Sequence, residues 1–425
     1  MRKRASSRGW RIGLVAGLVV LVPGGAVGGA VGASSSRPAG RAPISIQGNA
    51  DFAKCGCVVS GDGSPSHPFV IGPWTINNAN GTAVDIENVS QSFVLKNLTI
   101  AGNASPADIG IHLRYVSGSA SVAGSQTSIQ KNRVGILVEN SSGGVVLDGG
   151  GANPNGPGIG SAAGTINKNL DGAIDIENSS NVAVRGWQMS ANGGDHLAPD
   201  LWVHLDPSVT NWGVGGVRLF GVTNSTIDHN AANNDTDVSY SLFDSSNNAV
   251  TNNTADYPLT NNVIVSDGSS YNTISGNQFS TADFVGILIA DPLDCLEPAN
   301  YAGPSHDNVV ANNVDHTDGP TGAELRAGIA PAFEGGIVVL NGTYDNTIIG
   351  NHATASSGAD LVWAQEILNA GTPIGIDTAP PQLDDTCNVT QSNGGGGVGN
   401  LSGNVWKANV IKKTVSCIPA QLPAP

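Results

Sequence analysis

Between Ser190 and Gly213 the chain gathers four side chains able to exchange protons, Asp195, His196, Asp200 and Asp206, among Trp202, His204 and Trp212. Carboxylates beside an imidazole can supply a general acid and a general base, and exposed indoles can stack on sugar rings. The first four are therefore the candidate catalytic residues, and Trp202, His204, Trp212 and the following Arg218 the candidate ligand contacts. The competing reading is an acidic, Trp-anchored loop that packs along the body of the protein. A second insertion, from Ala290 to Asp307, carries Asp291, Asp294 and Glu297, oxygen ligands of the kind that hold Ca²⁺, against the alternative of a solvated acidic loop. No cofactor other than Ca²⁺ is suggested. Asp85, Glu87, Glu139, Asp175 and Glu177 recur in strand-like runs and form either a cation-binding acidic stripe or a solvated face.

The elements that position these residues follow from a repeat. An aliphatic residue followed three places later by Asn occurs at Ile129/Asn132, Ile166/Asn169, Ile227/Asn230, Val250/Asn253, Ile274/Asn277, Val310/Asn313 and Ile348/Asn351. The shortest steps, from Ile227 to Val250 to Ile274, are close to one coil of a parallel β-helix, about 22–25 residues, and the longer ones contain insertions or extra coils. A second run begins with Gly and then alternates, as in Gly110-Ile111-His112-Leu113, Gly135-Ile136-Leu137-Val138, Gly216-Val217-Arg218-Leu219 and Gly286-Ile287-Leu288-Ile289. Ala83-Val84-Asp85-Ile86-Glu87-Asn88 matches Ala173-Ile174-Asp175-Ile176-Glu177-Asn178. Period two sends aliphatic side chains inward and polar ones outward, and no single coil can bury its own apolar face. Stacking at about 4.8 Å per coil solves this, with turn Asn residues laddering while tolerating a left-handed backbone. The fold class expected is all-β: one right-handed parallel β-helix of roughly 10–12 coils over residues 44–420, with 34–43 a flexible lead-in and 421–425 a tail. Ile44 to Val59 and the stretch after Val405 are the candidate end caps, since open strand edges must be covered.

Composition narrows the partners. Residues 1–33 begin with Arg2, Lys3, Arg4, Arg8 and Arg11, continue through an apolar run from Ile12 to Val22 and end in small residues, the pattern of a secretory signal peptide cleaved after Ala33. The run is too short to span a bilayer, so export without membrane insertion is expected. None of the 34 Asp and Glu lies in that leader, and the remainder carries about −20 formal charges. Nucleic acid and anionic membrane surfaces need clustered basic residues and are poor partners, so no nucleic acid is expected, and an anionic polyuronate would be repelled without a bridging divalent cation. A monomer is expected. Cys387 and Cys417 are candidates for a disulfide, Cys55 and Cys57 for a local disulfide or two thiols, and Cys295 stands alone.

The stretch Gly61-Asp62-Gly63-Ser64-Pro65-Ser66-His67-Pro68-Phe69-Val70-Ile71-Gly72-Pro73-Trp74-Thr75-Ile76, with Gly81 to Ile86 and Phe93 to Ile100, resembles the opening coils of β-helix proteins of the NosD-like and pectate-lyase-like families. The resemblance implies the fold and a range of activities, from sugar lyases, hydrolases and epimerases to non-catalytic carbohydrate-binding proteins. Copper chemistry fits poorly, with two Met and eight scattered His. Asp291-Pro292-Leu293-Asp294 is similar to the Asp-Pro-His-Asp motif of alginate epimerases, except that Leu293 replaces the proton-transferring His. The Gly-His-Gly and Arg-x-Lys segments of polygalacturonase-like hydrolases are missing, and Asp384-Asp385 lies in a Pro-rich stretch. Arg185 and Arg218 are the candidates for a lyase-type base. The reading that follows is a secreted protein recognising a polysaccharide, a cell-surface glycan or another extracellular component through its side loops. The alternatives are a polysaccharide lyase or hydrolase centred on 190–213, and a structural rod or adhesin.

Overall fold

Aliphatic runs of period two, too narrow to bury themselves, find their partners one coil away. The computed structural model describes residues 39–77, 81–153, 155–160, 163–193, 215–235, 238–258, 260–282, 285–290, 303–316, 335–340, 343–354, 359–364, 404–407, 409 and 414–415. Their strands form three sheets of 11, 12 and 12 members. Each coil passes in turn through sheet 1 (Trp74–Asn77 in one coil), sheet 2 (Thr82–Glu87) and sheet 3 (Phe93–Lys96) before re-entering sheet 1 at Leu98–Ala101. Every strand pairs in parallel with its equivalents above and below, except Val58–Ser60, which runs antiparallel to Phe69–Ile71 at one end of sheet 3. This is the expected all-β parallel solenoid, and the number of stacked strands matches the 10–12 coils expected from the repeat.

Register decides what is inside. In sheet 2 Val84, Ile111, Ile136, Ile174, Val217, Tyr240, Val263, Ile287 and Ile337 fall in one inward column, all buried. In sheet 3 Leu95, Val122, Leu147, Val184, Ile227, Val250, Ile274, Val310 and Ile348 do the same. Each fully buried aliphatic side chain contributes about 1.5–3 kcal/mol relative to exposure, so the columns are the main source of stability. The Gly that opens many sheet 2 strands is required by close stacking: a Cβ on Gly110 would meet the Gly135 carbonyl oxygen at 2.4 Å, and one on Gly135 the Ala173 carbonyl oxygen at 2.5 Å.

The seven aliphatic–Asn units stack along the coils, but at two corners. Asn132, Asn169 and Asn192 sit between sheets 1 and 2, each donating its side-chain amide to the next member, and Asn192 donates to Asp235 at 3.1 Å. Asn230, Asn253, Asn277, Asn313, Asn351 and Asn409 form a second ladder between sheets 3 and 1, with amide contacts of 2.9–3.1 Å. A third, between sheets 2 and 3, runs through Asn248, Asn272, Asn308, Asn346 and Asn404. The left-handed backbone is not at the ladder Asn itself. It falls on the preceding residue, Lys131, Lys168, His229, Asn252, Gly276, Asn312 or Gly350, which turns the chain so that the next amide side chain points into the corner.

The first strand, Ala39–Arg41, pairs with Trp74–Ile76 inside the stretch expected to be a flexible lead-in, because that edge of sheet 1 offers a free ladder. Arg41 lies 5.0 Å over the Trp74 ring and donates to the Cys55 and Gly56 carbonyls. The 44–59 cap contains a short 3₁₀ turn, Asn49–Asp51, the disulfide Cys55–Cys57, and Phe52, buried against Phe69 and Phe93. Residues 1–33, Cys295, Cys387, Cys417 and 421–425 lie outside the described residues.

Candidate functional site

The outward columns of sheet 2 hold the largest group of paired charges among the described residues. Alternation in Val84-Asp85-Ile86-Glu87 sends the two acids outward, and parallel register sets Asp85 beside His112 and Glu87 beside Arg114. The same columns continue through Leu137 and Glu139, Asp175 and Glu177, and Arg218 and Phe220. His112 bridges two carboxylates: Nε2 is 2.5 Å from Glu139 Oε2 and Nδ1 is 3.4 Å from Asp85 Oδ1. Asp85 also accepts from the Gln47 amide at 2.9 Å. Arg114 donates to Glu87 at 2.6 Å. Arg218 grips Asp175 with two bonds, Nε to Oδ1 at 2.8 Å and Nη2 to Oδ2 at 2.6 Å, and Nη2 also reaches Glu177.

Burial grades along this strip. The Arg218 and Asp175 side chains are 6% and 3% exposed, whereas Glu177 keeps 26% and Glu139 24%, so the acids at the rim remain within reach of a ligand. Burial, helped by repulsion from Asp175 and Glu139 and opposed by Arg218, raises the Glu177 carboxyl to about 7. Burial works against the Arg218 charge, but Asp175 and then Glu177 outweigh it and hold the guanidinium firmly protonated. The strip therefore combines a carboxyl that changes charge near neutrality, an imidazole between two carboxylates, and a fixed buried cation. That set can hydrogen-bond hydroxyls in both senses and can exchange a proton.

The five acids noted in the sequence are thus neither a bare acidic stripe nor a solvated face, since His112, Arg114 and Arg218 are interleaved with them. Among the described residues no group of three or more His, Cys, Asp or Glu is arranged to hold a metal ion. Arg218, expected as a ligand contact, is buried and paired with Asp175 and Glu177. Arg185 is on sheet 3, paired with Asp148 at 2.7 Å, and the two arginines do not converge. Asp195, His196, Asp200, Trp202, His204, Asp206 and Trp212 lie outside the described residues, as do Asp291, Asp294 and Glu297. His112 was missed because its partners stand in other coils. Aligning Gly110-Ile111-His112-Leu113 under Ala83-Val84-Asp85-Ile86 would have set it beside Asp85.

Farther along, the outward positions of sheet 2 change character. The column of Asp85, His112, Asp175 and Arg218 continues as Ser241, Ile264, Leu288 and Val338, and that of Glu87, Glu139 and Glu177 as Phe220, Phe243 and Ser266; of these later residues all but Phe220 are buried, and Ile264, Leu288, Val338 and Phe243 are apolar where alternation alone predicts polar residues.

A family model described as right handed beta helix region matches residues 110–369. Among solved structures, an alginate lyase from Paenibacillus sp. is 12% identical with a TM-score of 0.35, over 76% of this chain and 91% of that one. The periplasmic alginate epimerase AlgG is 10% identical with a TM-score of 0.26, over 79% of this chain and 74% of that one. The Dettilon tailspike protein is 14% identical with a TM-score of 0.33, over 68% and 56%. These values are too low to carry over a ligand or a reaction. A search among curated proteins gives no significant match.

Proposed function

Since the chain belongs to the right-handed β-helix family, we propose that it is a secreted protein that recognises carbohydrate through the outer face of sheet 2. The observation that carries this reading is His112 held between Asp85 and Glu139 on a half-buried strip that also presents Glu177. Charged and amide groups in register one coil apart, about 4.8 Å, offer a sugar chain successive partners for its hydroxyls. The acids outnumber the cations on the strip, which favours a neutral glycan over a uronate. The insertion 194–214 enters the strand Val217–Phe220 that carries Arg218, so its Trp and acidic residues connect directly to this face in the chain. Secretion rests on the leader-like pattern of residues 1–33.

The test is affinity for neutral polysaccharides, and for polygalacturonate with and without Ca²⁺, in wild type and His112→Gln. The substitution removes the imidazole that lies between the two carboxylates and should weaken neutral-glycan binding about tenfold or more, equivalent to about 1.4 kcal/mol. Unchanged affinity would exclude the strip as the contact surface.

One observation favours a catalytic version of the same site. Burial raises the Glu177 carboxyl to about 7, and its register partner is Glu139, so the strip sets two carboxyl groups side by side, one of them suited to donate a proton, as glycoside hydrolysis requires. Release of reducing ends that is lost in Glu177→Gln would support hydrolysis. Glycan binding without such release would leave recognition alone.

A further inference from the structure

The corner between sheets 2 and 3 breaks its own rule in the later coils. One of its positions is left-handed in coil after coil and is filled by Asn181, Asn224, Asn247, Asp307 and Asp345, residues whose short polar side chains suit that backbone. In the coil between Asn247 and Asp307 the position is Tyr271, at φ +56°. A bulky ring there is unfavourable for the backbone, and it gains nothing back from burial because Tyr271 is 57% exposed.

The neighbouring position, which forms a continuous run of bridges through Ser180, Thr223, Ser246 and Ser270, changes to His306 and Tyr344 in the next two coils. Their rings stack at 4.7 Å and 7°. Such stacking explains those two as a ladder that ties coils together. It does not explain Tyr271, whose ring stands edge-on to His306, 5.7 Å away at 85°, with the Asp307 charge near enough to raise the Tyr271 hydroxyl. Asp307 in turn lies 2.8 Å from His306 Nδ1 and is 35% exposed. The result is a solvent-facing ring beside a carboxylate that His306 holds in place.

We propose that this corner, Tyr271 with His306, Tyr344 and Asp307, is a second carbohydrate contact that takes an extended neutral polysaccharide. A pyranose offers an apolar C–H face and a hydroxyl edge, which match the open ring face and the carboxylate beside it. The surface is a convex corner rather than a pocket, so a chain running along the coils gains contacts that a single sugar does not. Charge decides against a polyuronate, because the sequence has no Lys or Arg from Leu219 to Leu325 while Asp307 and Asp345 stand at the corner itself. The ligand class rests on the carbohydrate reading above, but the site is separate from the sheet 2 strip.

Tyr271→Asn tests it, because Asn is what the other coils carry and restores the favoured left-handed residue. Full-length wild type, Tyr271→Asn and His112→Gln are titrated calorimetrically with cello-, manno-, xylo- and maltohexaose and with galactomannan. The expected result is an unchanged or raised Tm for Tyr271→Asn together with loss of one class of sites, at least tenfold in affinity, while the other class is retained. Binding by Tyr271→Asn equal to wild type overturns the second contact and leaves the strip reading intact. Loss in Tyr271→Asn with no effect of His112→Gln supports the corner and removes the strip. No binding of any of these glycans by wild type overturns the corner proposal, and binding of polygalacturonate with Ca²⁺ alone would then place the ligand on another surface.

Discussion

Coils before about Phe220 and coils after it face the same two difficulties, a solvent-side column on sheet 2 and buried backbone at the corners, and they meet them differently. In the earlier coils the outward column is charged and internally paired, from Asp85 through His112 and Asp175 to Arg218. In the later ones the same column reads Ser241, Ile264, Leu288 and Val338, all buried. The asparagine ladder changes place at the same level: the one between sheets 1 and 2 ends at Asp235, and the one between sheets 3 and 1 begins at Asn230. The coils are therefore not interchangeable copies. One half carries electrostatic chemistry on an outer face and a single amide ladder, and the other carries two amide ladders and an aromatic corner.

The sharpest way to break this comparison is to remove the cation that organises the first half. Arg218→Ala leaves Asp175 buried without its partner and should cost about 3–5 kcal/mol in chemical denaturation. A loss below about 1 kcal/mol would mean that the strip does not depend on its buried pair.

The junction itself is testable through pH. Burial raises the Asp235 carboxyl to about 7, opposed by hydrogen bonds from Asn192, and its Oδ2 has no hydrogen-bond partner among the described residues. The unfolded carboxyl titrates near 4, so between about pH 4 and 7 the folded state holds the extra proton and stability falls as pH rises. The penalty is absent below pH 4 and reaches about 4 kcal/mol above pH 7, at 1.36 kcal/mol per unit. Asp235→Asn should flatten that slope and raise the Tm at pH 8, and an identical pH–stability curve for the two proteins would contradict the assignment.

In the second half Asn277 accepts from the Asn253 backbone and side chain and donates to Val250 O and Asn313. Asn277→Ala orphans a buried N–H and should cost about 2–3 kcal/mol by denaturation. A neutral outcome would reduce the ladders to decoration. The smallest effect is expected from Arg185→Ala, whose pair with Asp148 has the arginine 51% exposed, where about 0–1 kcal/mol is lost and less at high salt. A larger loss there would erase the distinction between buried and surface pairs.

How much of this was legible depends on the distance over which the physics acts. Period-two alternation and the recurring aliphatic–Asn unit act within a strand and a turn, so the all-β right-handed solenoid, its coil number and its aliphatic columns could be read from the chain alone. The strip could not. His112 meets Asp85 and Glu139 from 27 residues away, and Arg218 meets Asp175 from 43, because insertions of unequal length separate the coils. For the same reason Ile166/Asn169 and Ile227/Asn230, alike in sequence, lie at different corners: between them the count of residues no longer gives the angle around the axis. Local patterning determined that coils would stack. Only the stacked structure, by fixing register across the insertions, decided which charges meet and which ring faces water.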